Sequence, residues 1–237
     1  MDDDGRIFMV PMDHGTTLGP ILGVTKITDT LDQVADLATC TVVHKGLVAQ
    51  ARQYQDRLGV IMHLSASTVY APDPDDKRIV GTVQEAIDLG ADAVSVHLNL
   101  GSAGEADQIE AIGRVSTDCN RLGVPLVVMV YPRGPTIMDT FNADLIAHAA
   151  RLGAELGADI VKVPYPGDQG SFRAAVRGAG IPVVVAGGPK ADRPERFLEI
   201  IQGAADAGAA GVSVGRNVFQ ADDPAKALQE IIRCFGA

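Results

Sequence analysis

Two phrases recur along this chain and alternate with each other. Asp88-Leu-Gly-Ala-Asp-Ala-Val-Ser-Val96 returns as Glu155-Leu-Gly-Ala-Asp-Ile-Val-Lys-Val163 and, more loosely, as Asp206-Ala-Gly-Ala-Ala-Gly-Val-Ser-Val214. Between these copies, Leu122-Gly-Val-Pro-Leu-Val-Val128 is echoed by Ala179-Gly-Ile-Pro-Val-Val-Val185. The physical content is the same each time. A helix runs out on a glycine that tolerates a left-handed conformation, and a short β-branched run follows. A chain built this way alternates helix and strand, and the alternation points to a repeated (βα)₂ unit.

Apolar strand candidates fall at about 6–13, 40–45, 59–64, 92–99, 124–131, 159–164, 182–187 and 211–215, with a helical pattern after each. Phe141, Leu145, Ala149, Leu152 and Leu156 make one stripe of a helix, as do Leu228, Ile231, Ile232 and Phe235 behind Asp223-Pro224. Asp192 and Pro194 open the helix before Phe197 in a similar way. Eight βα units, all parallel by the crossover rule, close most naturally into an α/β fold with a single (β/α)₈ TIM barrel spanning 1–237. The length of 237 residues sits near the lower end for that architecture, which typically takes about 250. An open doubly wound sheet is the alternative, but no G-x-G-x-x-G follows the first strand.

Composition narrows the partners. Thirty acidic residues against 20 basic ones give a formal net charge of −10, with no run of Lys or Arg, so nucleic acid and anionic membrane are excluded as partners. No apolar stretch reaches the roughly 18 residues of a membrane span. The acidic Met1-Asp2-Asp3-Asp4 start has the wrong sign for a secretory signal. Cys40, Cys119 and Cys234 lack any CxxC pairing and read as buried thiols in a reducing compartment. A cytoplasmic location is expected, with a phosphorylated small molecule and further copies of the same chain as partners.

In such a barrel the chemistry lies at the C-terminal ends of the strands. There the sequence places Met12-Asp13-His14-Gly15, His44-Lys45-Gly46, His63, the alternating Ser95, His97 and Asn99, Tyr131-Pro-Arg133-Gly134, Lys162, Gly187-Gly188 and Gly215-Arg216-Asn217. Lys162 alternates with Val161 and Val163 and so points into the barrel, where burial disfavours an ammonium and favours an amine able to attack a carbonyl. It reads either as that nucleophile or as a strut paired to a carboxylate such as Asp13. Tyr131 and Asp13 are then candidate proton-transfer groups, or else a rim aromatic and a counter-ion. Lys45 reads as a positioning or phosphate-facing charge. Gly187, Gly188, Gly215 and Arg216 read as a phosphate cradle, or as two ordinary tight turns. His14, His44 and His97, with Arg133, are candidate substrate-binding groups. The histidine spacing matches no metal motif, and no metal or other cofactor is expected.

Several segments carry a family resemblance. They are Val10-Pro-Met-Asp-His-Gly-Thr-Thr-Leu-Gly-Pro20, His44-Lys-Gly46, Tyr131-Pro-Arg-Gly134, Val161-Lys162, Val184-Val-Ala-Gly-Gly-Pro-Lys190 and Val214-Gly-Arg-Asn-Val-Phe-Gln220. Together they resemble the archaeal-type class I (Schiff-base) aldolases, in the branch of the 2-amino-3,7-dideoxy-D-threo-hept-6-ulosonate synthases. The resemblance runs from about 6 to 236. It implies a Schiff base on Lys162, proton transfer by Tyr131 and Asp13, and a phosphate at Gly187, Gly188, Gly215 and Arg216. It further implies a dihydroxyacetone phosphate or ketose phosphate donor joined to L-aspartate 4-semialdehyde, on the way to aminohydroxybenzoates. Fructose 1,6-bisphosphate cleavage and a silent sugar-phosphate-binding barrel are the alternatives. Two departures stand out: about five residues precede the first strand, where the family has a longer segment over the barrel floor, and Val163-Pro164-Tyr165-Pro166 follows the lysine in place of small polar residues.

Overall fold

The structure is a computed structural model that describes residues 1–2 and 4–236. Eight strands close into a parallel barrel: β1 (Ile7–Pro11), β2 (Cys40–Val43), β3 (Gly59–His63), β4 (Ala93–Leu100), β5 (Leu126–Pro132), β6 (Ile160–Val163), β7 (Val183–Ala186) and β8 (Gly211–Ser213). Neighbours in sequence are neighbours in the sheet, and β8 pairs with β1 to close the ring. The helices after the successive strands are α1 (Ile27–Val34), α2 (Val48–Ala51), α3 (Val83–Leu89), α4 (Glu105–Leu122), α5 (Ala143–Glu155), α6 (Gln169–Ala179), α7 (Pro194–Asp206) and α8 (Pro224–Arg233). None of these is long and apolar enough to cross a membrane.

The repeated phrases have a structural reason. Gly90 and Gly123, one from each phrase, end α3 and α4 in the left-handed region, at φ 81° and 69°. The aspartate that follows in the first phrase then pins the adjacent strand. Asp92 Oδ2 accepts from Val60 N at 2.7 Å, and Asp159 Oδ2 accepts from Leu126 N at 2.8 Å. Each satisfies an amide at the barrel floor that has no ladder partner. In the third copy Ala210 replaces the aspartate, and its carbonyl accepts from Ile7 N at 3.0 Å.

Alternation sorts the side chains into two cores. Val161, Val163, Val183, Val185, Val94, Val96 and Val128 point outward into the layer between sheet and helices. Ile7, Met9, Val42, Ile61, Val127, Met129 and Val184 fill the barrel, with Cys40, Ala93, Ile160 and Ala210 packed against them. Burying each such valine contributes about 1.5–3 kcal/mol, so a one-residue register slip in any strand would empty both layers.

Three local expectations are corrected. The buried stripe of α5 is Ile146, Ala149, Ala150 and Gly153, while Phe141 lies ahead of the Asn142 cap and is 57% exposed. The cap of α7 is Arg193, with Pro194 at its first turn, and Asp192 lies outside it. The crossover after β2 is a broken helix, with α2 between the 3₁₀ turns Lys45–Leu47 and Arg52–Tyr54. One further element was not expected. Ser65–Ala66 pairs antiparallel with Arg78–Ile79, folding the long β3–α3 connection back over the barrel mouth. Two-residue strands around a Pro- and Asp-rich run carry no periodic signal.

Candidate active site

The inward-facing positions change chemistry with height. Along β4 they read Ala93, Ser95, His97, Asn99; along β5, Val127, Met129, Tyr131, Arg133; along β6, Ile160, Lys162, Pro164. Apolar groups close the floor and polar groups line a cavity of about 480 Å³ at the mouth. Asp13, His14, His44, His97, Tyr131, Arg133, Lys162, Gly187, Gly188, Gly215 and Arg216 all line it. Lys45 does not. Its ammonium turns away to Glu85 at 3.0 Å, because the chain enters a 3₁₀ turn at that residue.

Lys162 is 6% exposed, and its register places it between Met129 and Val184. Its Nζ has one polar contact among the described residues, the Met129 sulfur at 3.9 Å. No carboxylate lies within ion-pair distance of it among those residues, which removes the reading of Lys162 as a directly paired strut.

Asp13 stands beside it in a ring of histidines, 3.4 Å from His14 Nδ1 and 3.9 Å from His63 Nε2. Burial pushes its carboxyl up, but His63, His14, Lys162 and His44 together outweigh this and hold it below the ordinary carboxylate range. The histidines themselves are pushed down by the same burial, His63 to about 4 and His97 well below its usual value. Near neutral pH they are therefore hydrogen-bonding groups without charge around an ionised Asp13. His63 is held in place by Ser95 Oγ at 2.7 Å.

Tyr131 stacks on His97, with ring centroids 4.9 Å apart, and the Arg133 guanidinium lies over the Tyr131 ring at 5.6 Å. His97 Nε2 meets Asn99 Oδ1 at 2.9 Å, which fixes the stacking partner. The phenol is thus aimed from a rigid frame.

At the ends of β7 and β8 the cradle differs from expectation in one respect. The Gly187 amide donates to Ser213 O at 3.1 Å and is not available to a ligand. Among the described residues, the amides of Gly188, Gly215 and Arg216 have no such acceptor. Gly215 is required for packing: a Cβ there would sit 2.7 Å from His14 Cε1 and 2.8 Å from Pro11 O. Among the described residues Arg216 Nε is buried without a partner and the guanidinium, which lines the cavity, has no ion pair. Asn217 does not face the ligand space in the same way. It staples the β7 loop, accepting from Ala191 N at 2.8 Å and donating to Gly187 O and Pro189 O, both at 2.9 Å.

Sequence reasoning missed Asp75 and Lys77, which reach the cavity from the β3–α3 connection. The available signal was length, since a long irregular connection at the mouth of a barrel is where binding residues concentrate.

A lysine buried inside a parallel barrel, near an ionised carboxylate, is the arrangement that class I carbon–carbon bond enzymes of the aldolase type need. The family model described as "DeoC/LacD family aldolase" matches residues 7–221, and the chain belongs to that family. It is 48% identical over 233 residues to 2-amino-3,7-dideoxy-D-threo-hept-6-ulosonate synthase 1 of Archaeoglobus fulgidus, covering 97% of this chain and 86% of the relative. It is 43% identical to 2-amino-4,5-dihydroxy-6-oxo-7-(phosphonooxy)heptanoate synthase of Streptomyces griseus, covering 99% and 87%. Among solved structures it superposes with a TM-score of 0.91, at 31% identity, on an archaeal fructose-1,6-bisphosphate aldolase whose catalytic Lys is covalently bound to the carbinolamine intermediate; 100% of this chain and 96% of that one are covered. The silent-barrel alternative gives way to an enzyme.

Proposed function

We propose that residues 1–237 act as one aldolase domain that joins a phosphorylated ketose donor to L-aspartate 4-semialdehyde through an imine on Lys162. The observation that carries this reading is the buried Lys162 side chain, which among the described residues has no carboxylate within ion-pair distance and shares its cavity with Asp13. The Lys162 amine attacks the donor ketone, and the carbinolamine loses water as Asp13 shuttles the protons. Loss of a proton from the adjacent carbon gives an enamine, which attacks the acceptor aldehyde. Tyr131 supplies or removes the proton at the oxygen of the acceptor carbon, and water then releases the product and restores the amine. The imine withdraws electrons as a Lewis-acid metal would, so the reading needs neither metal nor other cofactor.

Gly188, Gly215 and Arg216 hold the donor phosphate, and His14 and His44 hydrogen-bond the substrate near Asp13. The names of the two synthase relatives support the aspartate-derived acceptor, since each product carries an amino acid end. Cleavage of fructose 1,6-bisphosphate is the second reading. It is favoured by the cations Lys77 and Arg133 on the side of the mouth away from β8, where a second phosphate would reach.

Borohydride with dihydroxyacetone phosphate should add one fixed mass to the protein, mapped to Lys162, and Lys162→Met should abolish it. Activity should persist in EDTA. Loss of activity on chelation, restored by zinc, would overturn the proposal.

A further inference from the structure

The second cationic wall has features that a phosphate site does not explain. In the ring of strands, β4 stands opposite β8, and Lys77 and Arg133 reach the cavity from the ends of β3 and β5 on either side of β4. Between them lies a carboxylate, with Asp75 Oδ1 3.8 Å from Arg133 Nη1 and no hydrogen bond to its side chain among the described residues. Two cations and one anion leave a net positive charge on this wall, yet a lone carboxylate is set where a dianionic phosphate would meet it.

The wall is also held rigidly. Asn99, fully buried on β4, and Gln108, buried on α4, both donate to the backbone carbonyl of Asp75, at 2.8 and 2.9 Å. Ser67 Oγ donates to Pro74 O at 2.7 Å and receives the Lys77 ammonium. Two buried side-chain amides converging on one loop carbonyl fix the position of Asp75 without involving its carboxylate. Among the described residues that carboxylate accepts no hydrogen bond, and beyond its 3.8 Å approach to Arg133 it is open to a ligand.

We propose that Asp75, Lys77 and Arg133 form the subsite for the α-amino carboxylate end of the acceptor aldehyde. Lys77 and Arg133 hold the ligand carboxylate, and Asp75 accepts from its ammonium. The arrangement is complementary to a zwitterion: the ligand adds one negative charge beside two cations and one positive charge beside the anion. A glyceraldehyde phosphate places a dianion against Asp75 and leaves the carboxylate without a donor, so the same wall discriminates against it. This inference rests on the Schiff-base reading of Lys162 and adds which acceptor that chemistry is given.

The test uses the full chain with dihydroxyacetone phosphate as donor and three acceptors: L-aspartate 4-semialdehyde, succinate semialdehyde, which lacks the amine, and glyceraldehyde 3-phosphate. Wild type should prefer the amino acid aldehyde. Asp75→Asn should raise its KM by about tenfold or more while leaving succinate semialdehyde within about twofold, and Lys77→Met should raise KM for both. Borohydride trapping of the donor should be unchanged in both variants, reporting an intact fold and donor half. Equal effects of Asp75→Asn on the two semialdehydes, or a wild-type preference for glyceraldehyde 3-phosphate, would overturn the subsite while the trapped imine stands. Absence of any trapped donor in wild type would overturn the imine reading, and the subsite with it.

Discussion

The two walls of the cavity present charge by different means. At β7 and β8 the polar surface is backbone: amides of Gly188 and Gly215, two residues past their strands, with one guanidinium that has no partner among the described residues. At β3 and β5 it is side chains, two cations and a carboxylate, on a loop braced by Asn99 and Gln108. Backbone amides suit an anion of fixed shape and charge, and tolerate little sequence change because a Cβ has no room at Gly215. Side chains on a braced loop set a charge pattern that substitution alters without touching the barrel. The first wall therefore suits the part of the reaction common to many relatives, and the second suits the part in which they differ.

The centre between the walls gives the largest expected effect. Tyr131→Phe should still trap the imine while turnover falls about 10²-fold or more, the size of a lost proton-transfer group. Unchanged turnover would mean that Tyr131 only stacks on His97.

The backbone wall comes next. Arg216→Ala should raise KM for a phosphorylated donor by one to two orders of magnitude, as loss of a charge-assisted contact worth about 1.5–3 kcal/mol implies. An unphosphorylated ketone should be nearly unaffected, and sulfate should compete with donor in wild type more than in the variant. Equal losses for both ketones would dissolve the distinction between the walls.

Removing a brace tests the other wall more gently. Gln108→Leu should raise the acceptor KM by several-fold, with donor trapping intact and stability down by about 1–3 kcal/mol from the unsatisfied Asn99 amide, while the Asp75 carbonyl keeps only its bond from Asn99. Donor and acceptor KM rising together would show that the loop supports the whole site.

Acid should loosen the structure by way of His63. Its folded pKa of about 4 lies below the ordinary imidazole value of 6.5, so the unfolded chain binds the proton first. The stability this contributes is complete above pH 6.5 and is lost as pH falls toward 4. Tm should accordingly drop through that window, and His63→Gln should flatten the slope.

Lys45→Ala should do least. Its pair with Glu85 is solvent-exposed, a kind of contact worth about 0–1 kcal/mol, and neither KM should change.

How much of this could be read from the residues follows the same division. The eight strands and the inward turn of Lys162 were legible because alternation and glycine-terminated helices are local and periodic. So were the glycine turns after β7 and β8 that line the cavity, since glycine at a strand end announces itself, although the Gly187 amide is taken up by Ser213 O. Lys45 was misplaced because the direction of a side chain one residue past a strand depends on how the following turn winds. Asp75 and Lys77 were invisible because their positions depend on amides contributed by Asn99 and Gln108, 24 and 33 residues from Asp75. The stripe on α5 slipped because Leu145 and Leu152 are only half-buried, while small residues take the tightest contacts against the sheet.

The barrel is fastened where its first and last strands meet, with Ile7 opposite Gly211 and Val214 N donating to Met9 O at 2.9 Å. The glycine cradle hangs directly over that seam, with Gly215 packed on His14 and Pro11. A phosphate held there would clasp the first barrel strand to the last, the strand pair with the largest sequence separation and hence the largest loop-closure entropy. By mass action such a clasp would add its own binding free energy to closure of the barrel.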